Sequence, residues 1–410
     1  MATTPTKQAY VVLIAGLVLN LILGVLYAWS IFSQSLMDQW SWSSSQASMP
    51  YALAIGFFAF GVMVAGRLQD TLGPRLVAMV GGLMAGLGVF AASFATPQNT
   101  LPITLGFGVL AGLGIGFGYA AATPPAVKWF GPERKGVVTG LVVSGFGLAS
   151  IYIAPLTTYL INQYGIASTF RILGIIFAVV ATVCGLLLQN PPTEKSGANK
   201  NMGDTEGFSL FQMLRTLRFY QMWTAYACAA FAGLMIIGTM AKVAAIQISG
   251  INLGFLLVAA LAIGNAGGRL AAGALLDNIG ATRTMLIAFI GQAIAMCVLG
   301  FVHALAPLIG LAILIGALYG ANLAIFPALT ASHFGIAKLG TNYGVMFTAY
   351  GIGGIFGALV AGRIFDLTGS FQSAFYVAAG LCIIAAVLAP FAGKAITLHP
   401  LRSSSAQKAE

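Results

Sequence analysis

Charge is nearly absent from this 410-residue chain: 7% of its residues are charged and only nine are acidic. No acid falls inside a long apolar run, so the paired carboxylates of acid–base hydrolysis are missing from such runs. The four cysteines (Cys184, Cys228, Cys297, Cys382) are scattered, with no CxxC and no nearby histidine. They read as small core hydrophobes, and neither a disulfide framework nor a metal site is expected. No P-loop, dinucleotide fingerprint or nucleophile elbow occurs, which leaves ATP-driven transport and membrane-embedded hydrolysis without their residues. No cofactor is expected, and the chain does not read as an enzyme.

What is present is apolar surface. The chain is 59% hydrophobic with 52 glycines, which excludes disorder and does not resemble a soluble enzyme of this length. Apolar runs long enough to cross a bilayer as helices recur throughout, so the class is an all-α integral membrane protein with the lipid bilayer as its solvent. The net charge of +10 does not point to nucleic acid, because 15 of the 19 Lys and Arg residues fall in alternate loops on one side. Arg171, Lys242 and Arg363 fall on the other side, and Arg269 lies within a span. The positive-inside pattern predicts cytoplasmic termini in a plasma (inner) membrane. The N-terminal apolar run has no A-x-A site and reads as a first span, since a cleaved signal peptide would be shorter.

Twelve spans are expected, at roughly 9–36, 46–68, 76–95, 100–126, 136–160, 169–189, 219–245, 251–275, 284–303, 305–331, 342–364 and 371–393. The polar stretch NPPTEKSGANKNMGDTEG (190–207) divides them six and six. The expected organisation is a bundle over 1–189, a cytoplasmic linker over 190–218, a second bundle over 219–394 and a tail over 395–410. The halves repeat: GRLQDTLGPR (66–75) matches GALLDNIGATR (273–283), and KWFGPERKG (128–136) matches SHFGIAKLG (332–340). Such a duplication describes a transporter with its site between the halves near the midplane. In these loops Asp70, Arg75, Arg134, Asp277 and Arg283 are candidate gating charges, able to hold one end of the cavity shut by pairing across the halves. Solubilising charges in short loops are the plainer alternative.

Arg269 lies inside LVAALAIGNAGGRLAAGALL (257–276). A guanidinium at that depth costs a few kcal/mol unless a partner or a wet cavity receives it, at about 2.5–3.5 kcal/mol on insertion scales. No carboxylate of the chain is placed to neutralise it, so a visiting anion is the candidate partner; a snorkelling arginine is the alternative. Its planar fork suits a carboxylate. Asn265, one turn earlier on the same face, can bond Arg269, the substrate or a neighbouring helix. Tyr27, Tyr119, Tyr319, Tyr350 and Tyr376 interrupt apolar helices, either as core packing or as amphipathic walls of a small site. Asn322 shares a face with Tyr319. Lys242, His303 and His333 read as residues of the membrane interfaces.

The G-x-L-x-D-x-x-G-x-R loops and the six-plus-six layout resemble the major facilitator superfamily. Within it, WFGPERKGVVTGLVVSG (129–145) resembles the segment opening the fifth helix of the monocarboxylate transporter family. GVLYAWSIF (24–32), GLMIIG (233–238), the N-x-x-x-R of 265–269 and NYG (342–344) are similar to its bacterial oxalate/formate-antiporter-like branch. The resemblance implies the major facilitator fold of two pseudo-symmetric six-helix bundles. It implies that Arg269 binds a substrate carboxylate and that Tyr27, Tyr119, Tyr319 and Phe146 face the substrate. Two departures matter. Asn265 stands where many animal members have an Asp implicated in proton coupling, and Tyr350 stands where the antiporter has a second cation.

These features predict a secondary transporter of short monocarboxylates of the lactate or pyruvate type, working by alternating access as a monomeric unit, with a proton as co-substrate. Carboxylate exchange of the oxalate/formate type is the alternative. An anion channel is disfavoured because no ring of repeated charges occurs.

Overall fold

The computed structural model describes residues 6–130, 135–192, 207–248, 253–335 and 338–393, without the side chains of Asp70 and Lys135. Its elements are helices. Eleven long apolar segments are of a length to cross a membrane, and one of them, Val137–Leu187, has 51 residues. At about 1.5 Å per residue such a helix would run roughly twice the hydrocarbon thickness. The chain instead reverses at Gly165, where φ is 78° and ψ 171°, and this resolves one segment into two and the eleven into twelve.

The helices are α1 (Lys7–Trp40), α2 (Ser44–Leu72), α3 (Pro74–Ala92), α4 (Leu101–Phe130), α5 (135–164), α6 (166–187), α7 (Leu217–Gln247), α8 (Gly254–Ile279), α9 (Ala281–Leu299), α10 (Leu305–Phe334), α11 (Leu339–Thr368) and α12 (Gln372–Ala392). With apolar residues on every side, their boundaries come from turn chemistry. Ser43 and Gln46 form a reciprocal capping box that starts α2, and Thr216 caps α7.

Glycines in the left-handed region end α2, α5, α8 and α11, at Gly73, Gly165, Gly280 and Gly369. The preceding octets are GRLQDTLG, TYLINQYG, GALLDNIG and GRIFDLTG, so the motif of two loops is a fourfold repeat of three-helix units. Successive units insert in opposite directions, as inverted repeats do. Two of the four motifs therefore lie on the face that carries the 190–218 connection, and two on the opposite face.

Close helix pairs use small residues. Gly264 and Gly268 of α8 press on Ile313 and Ala317 of α10, while Gly316 and Gly320 of α10 press on Leu261 and Asn265 of α8. A methyl group at any of the four would strike opposing backbone, so this pair is locked at short range. The seam buries Asn265 completely. Between the halves, α2 packs on α11, α5 on α8, and the second half of α1 on α7. The end of the connection is also seated. A one-turn helix, Leu210–Leu214, follows Phe208, whose N–H donates to the Phe334 carbonyl and whose carbonyl accepts from Asn342 Nδ2, each at 2.9 Å.

Candidate functional site

The first irregularity in α1 positions the site. Residues Gly24–Ala28 tighten into a 3₁₀ turn where Gly24 meets Ala149 and the Phe146 carbonyl of α5. Asn20, one turn earlier, donates to the Val142 carbonyl at 2.9 Å, so α1 is held against α5 just before the turn and at its first residue. The turn delivers Tyr27 to the interface between the halves. Its hydroxyl lies 3.0 Å from that of Tyr319 on α10 and 3.3 Å from that of Tyr350 on α11, and Tyr319 and Tyr350 are 3.1 Å apart. Three phenols, each donor and acceptor, close a hydrogen-bonded triangle across the two halves. All three rings are buried.

Aromatic rings continue the enclosure. Phe146 meets Tyr27 edge-on at 5.0 Å and Tyr119 at 5.1 Å, and Phe58 stacks on Phe146 at 5.5 Å. Phe347 stacks on Tyr350 at 4.6 Å. Arg269 lines the same enclosure, whose walls leave no void of water size between them.

The guanidinium is held by two of its three nitrogens. Nε donates to Asn265 Oδ1 at 3.2 Å, and Nη1 donates to the Val143 carbonyl of α5 at 2.9 Å. Nη2 is buried without a partner, and so is Asn265 Nδ2. A buried donor left open costs about 1–3 kcal/mol, more when charged, so these two groups define where an acceptor is worth most. The environment is chemically suited to anion binding: one fixed positive charge, two open donors, and aromatic walls that exclude water.

The structure therefore brings together Arg269, Asn265, Tyr27, Tyr119, Tyr319, Phe146 and Tyr350. Asn322 is buried nearby on α10 with its Oδ1 unpartnered. Tyr376 is not part of the group: it is 48% exposed on the outer surface of α12. Hydroxyl content alone could not separate it from the others, because every face of α12 is apolar. Phe58 and Phe347 are members that sequence reasoning missed. A phenylalanine in an apolar helix carries no signal of its own.

Among the described residues, the candidate gating charges form no ion pair across the halves. Asp277 and Arg283 are exposed and form no ion pair among the described residues, while Arg75 donates to Gln189 Oε1 at 3.4 Å within the first half. Arg134 and the Asp70 side chain lie outside the described residues. Among the described residues, the carboxylate contacts that cross the halves are on the opposite face. Lys242 of α7 donates to Asp38 of α1 at 3.0 Å, so it is a paired cation and not a free snorkeler. Asp366, in the fourth copy of the repeat, accepts from the N–H groups of Ser44 at 2.7 Å and Ser45 at 2.9 Å. A carboxylate on the first turn of α2 satisfies donors with no helical partner and opposes the positive end of the helix. His333, expected at an interface, is buried and bonded through Nε2 to the Ala392 carbonyl at 2.7 Å.

These contacts tie the two halves together on the face opposite the connection. Asp366→Asn together with Lys242→Gln is expected to shift the protein toward the conformation open on that face. Exposed pairs contribute at most about 1 kcal/mol each, so the shift is several-fold and not all-or-none. Spin labels at Gln98 and Phe301, in loops of different halves on that face, should show a longer distance population in the double variant. An unchanged distribution would mean these contacts are energetically idle.

Comparison with known proteins agrees with the resemblance drawn from the motifs. The family model described as Major Facilitator Superfamily matches residues 12–257 and 222–408. The uncharacterized MFS-type transporter YhjX of Escherichia coli is 30% identical over 85% of this chain and 86% of its own. The oxalate:formate antiporter of Oxalobacter formigenes is 28% identical over 93% and 90%, respectively. Monocarboxylate transporter 13 of Rattus norvegicus is 26% identical over 87% and 82%.

Proposed function

The chain belongs to the major facilitator superfamily and is a multi-pass membrane transporter, and on that premise we propose that it carries short monocarboxylates of the lactate or pyruvate type. The observation that carries this reading is the pair of open donors, Arg269 Nη2 and Asn265 Nδ2, in an aromatic enclosure. One guanidinium balances one carboxylate. The rings of Phe58, Tyr119 and Phe146 suit the short apolar remainder of the acid. The names of the oxalate:formate antiporter and the monocarboxylate transporter agree with carboxylates as the cargo.

Transport proceeds by rocking of the halves about the site. The tyrosine triangle joins α1 to α10 and α11, and it must open whenever the halves part at that level. Binding of an anion neutralises Arg269, which lowers the cost of closing an apolar enclosure around it. We assign a proton as co-substrate. Asn265 does not titrate, so the proton crosses with the acid or through a group away from Arg269.

In proteoliposomes, an inward-acid gradient is expected to drive accumulation of labelled lactate or pyruvate, and a protonophore to collapse it. The amide at position 265 also favours a second reading, exchange of one carboxylate for another. Uptake that ignores both gradient and protonophore, yet rises when the vesicles are preloaded with carboxylate, would replace symport by exchange.

A further inference from the structure

Two open donors converge on one bare stretch of α5. Val143 and Gly147 lie one turn apart on the same face of that helix, which is the face packed against α8. Val143 gives its carbonyl to Arg269 Nη1 at 2.9 Å. Gly147 gives nothing. A β-carbon built on Gly147 would lie 3.6 Å from Arg269 Nη2, 3.6 Å from Asn265 Nδ2 and 3.6 Å from the Arg269 Cζ. The missing side chain of a buried residue thus lies beside both unpartnered donors at once.

We infer that Gly147 is a specificity-determining residue of the site: the carboxylate of the cargo seats against it, with one oxygen accepting from Arg269 Nη2 and the other from Asn265 Nδ2. This inference rests on the carboxylate-carrier reading and adds a wall to it. Nε and Nη1 of the arginine are engaged by Asn265 Oδ1 and the Val143 carbonyl, so the anion is not gripped by the arginine fork alone. It is held end-on between an arginine and an amide, and both of those donors are fixed on α8. Oxygens accepting at about 2.9 Å from these nitrogens need the space beside Gly147 that a methyl group would take. The residue at 147 then sets how much bulk the carbon next to the carboxylate can carry.

The contacts of 3.6 Å are ordinary van der Waals distances, so Gly147→Ala fits the fold without moving backbone. Purified wild type and G147A are compared in proteoliposomes for uptake of labelled lactate, with formate and pyruvate as competitors, and by thermal unfolding. The expected result for G147A is an unchanged unfolding temperature, at least a tenfold loss of apparent affinity for lactate, a smaller loss for formate, and a maximal rate within about threefold of wild type. Gly147→Ser is a second variant whose hydroxyl can accept from the same donors. It should raise the unfolding temperature and lower lactate affinity together, because it satisfies the groups the cargo would satisfy. Unchanged lactate affinity in G147A, or equal losses for formate and lactate, overturns the role of Gly147 while leaving the carrier reading intact. Wild-type protein that takes up no lactate, with or without a gradient or preloaded carboxylate, and binds neither pyruvate nor formate, overturns the carrier reading and this inference with it.

Discussion

Arg269→Lys is expected to reduce uptake by on the order of 100-fold or more while leaving the protein folded. The guanidinium points in three directions: Nε toward Asn265 Oδ1, Nη1 toward the Val143 carbonyl, and Nη2, without a partner, toward Gly147 beside the equally unpartnered Asn265 Nδ2. An ammonium group has three donors but no plane, and it ends nearer its own helix. A lysine that reaches Val143 or Asn265 has no group left at the Nη2 position, and one that reaches the anion leaves α5. Losing charge-assisted bonds at about 1.5–3 kcal/mol each gives the stated range at 1.4 kcal/mol per decade. Initial uptake rates of labelled lactate, normalised to purified protein, measure it. Wild-type rates in the variant would make Arg269 a structural strut between α5 and α8, and the assignment of the anion site would fall.

What the sequence reveals of this architecture depends on whether a residue departs from its surroundings. Arg269 is a lone cation in an apolar helix, so it is visible at once, and Asn265 follows from helical spacing. The buried tyrosines are visible for the same reason, although the sequence does not say which of them meet. Tyr27, Tyr319 and Tyr350 come from three helices and two halves, and only packing brings their hydroxyls to within 3.3 Å of each other. Tyr376 has the same chemistry and points outward.

Other features are silent because their signal is an absence. Gly147 is one of 52 glycines, and nothing local marks it as the one facing the open donors. The fourfold repeat was half legible. Asp70 and Asp277 sit in well-matched loops, whereas the second copy carries Asn162 in place of the Asp and the fourth lies at the other face. Comparing only the two halves therefore points to Asp70 and Asp277 and passes over Asp366, whose copy of the motif lies on the opposite face. Lys242 illustrates the same limit. An isolated lysine at a helix end reads as a snorkeler until a fold brings Asp38, 204 residues away in sequence, to 3.0 Å.

Discrimination by substrate charge is the other large effect expected. Where the antiporter-like relatives are expected to place a second cation, this chain has Tyr350, and the structure gives that residue a task. Its hydroxyl completes the triangle with Tyr27 and Tyr319, and its ring stacks on Phe347. Among the residues lining the enclosure, Arg269 is the one cation. A dicarboxylate bound there would set its second charge among phenol hydroxyls and phenylalanine rings. Leaving a buried charge without a counter-ion costs several kcal/mol, about 3–5 kcal/mol when one partner of a buried pair is removed. Hydroxyl donors recover a part of this, so at 1.4 kcal/mol per decade a preference of about 100-fold for lactate or pyruvate over oxalate or malonate is expected. Tyr350→Lys should narrow the gap from both sides. It adds the missing charge for the dianion, and it leaves an excess cation beside the monoanion while breaking the triangle. Calorimetric titration of purified protein with lactate and with oxalate, in wild type and Y350K, measures both effects. Equal affinity of the wild type for the two acids would overturn the matching of one cation to one carboxylate, because the enclosure would then be stabilising a second buried charge without a cation to receive it.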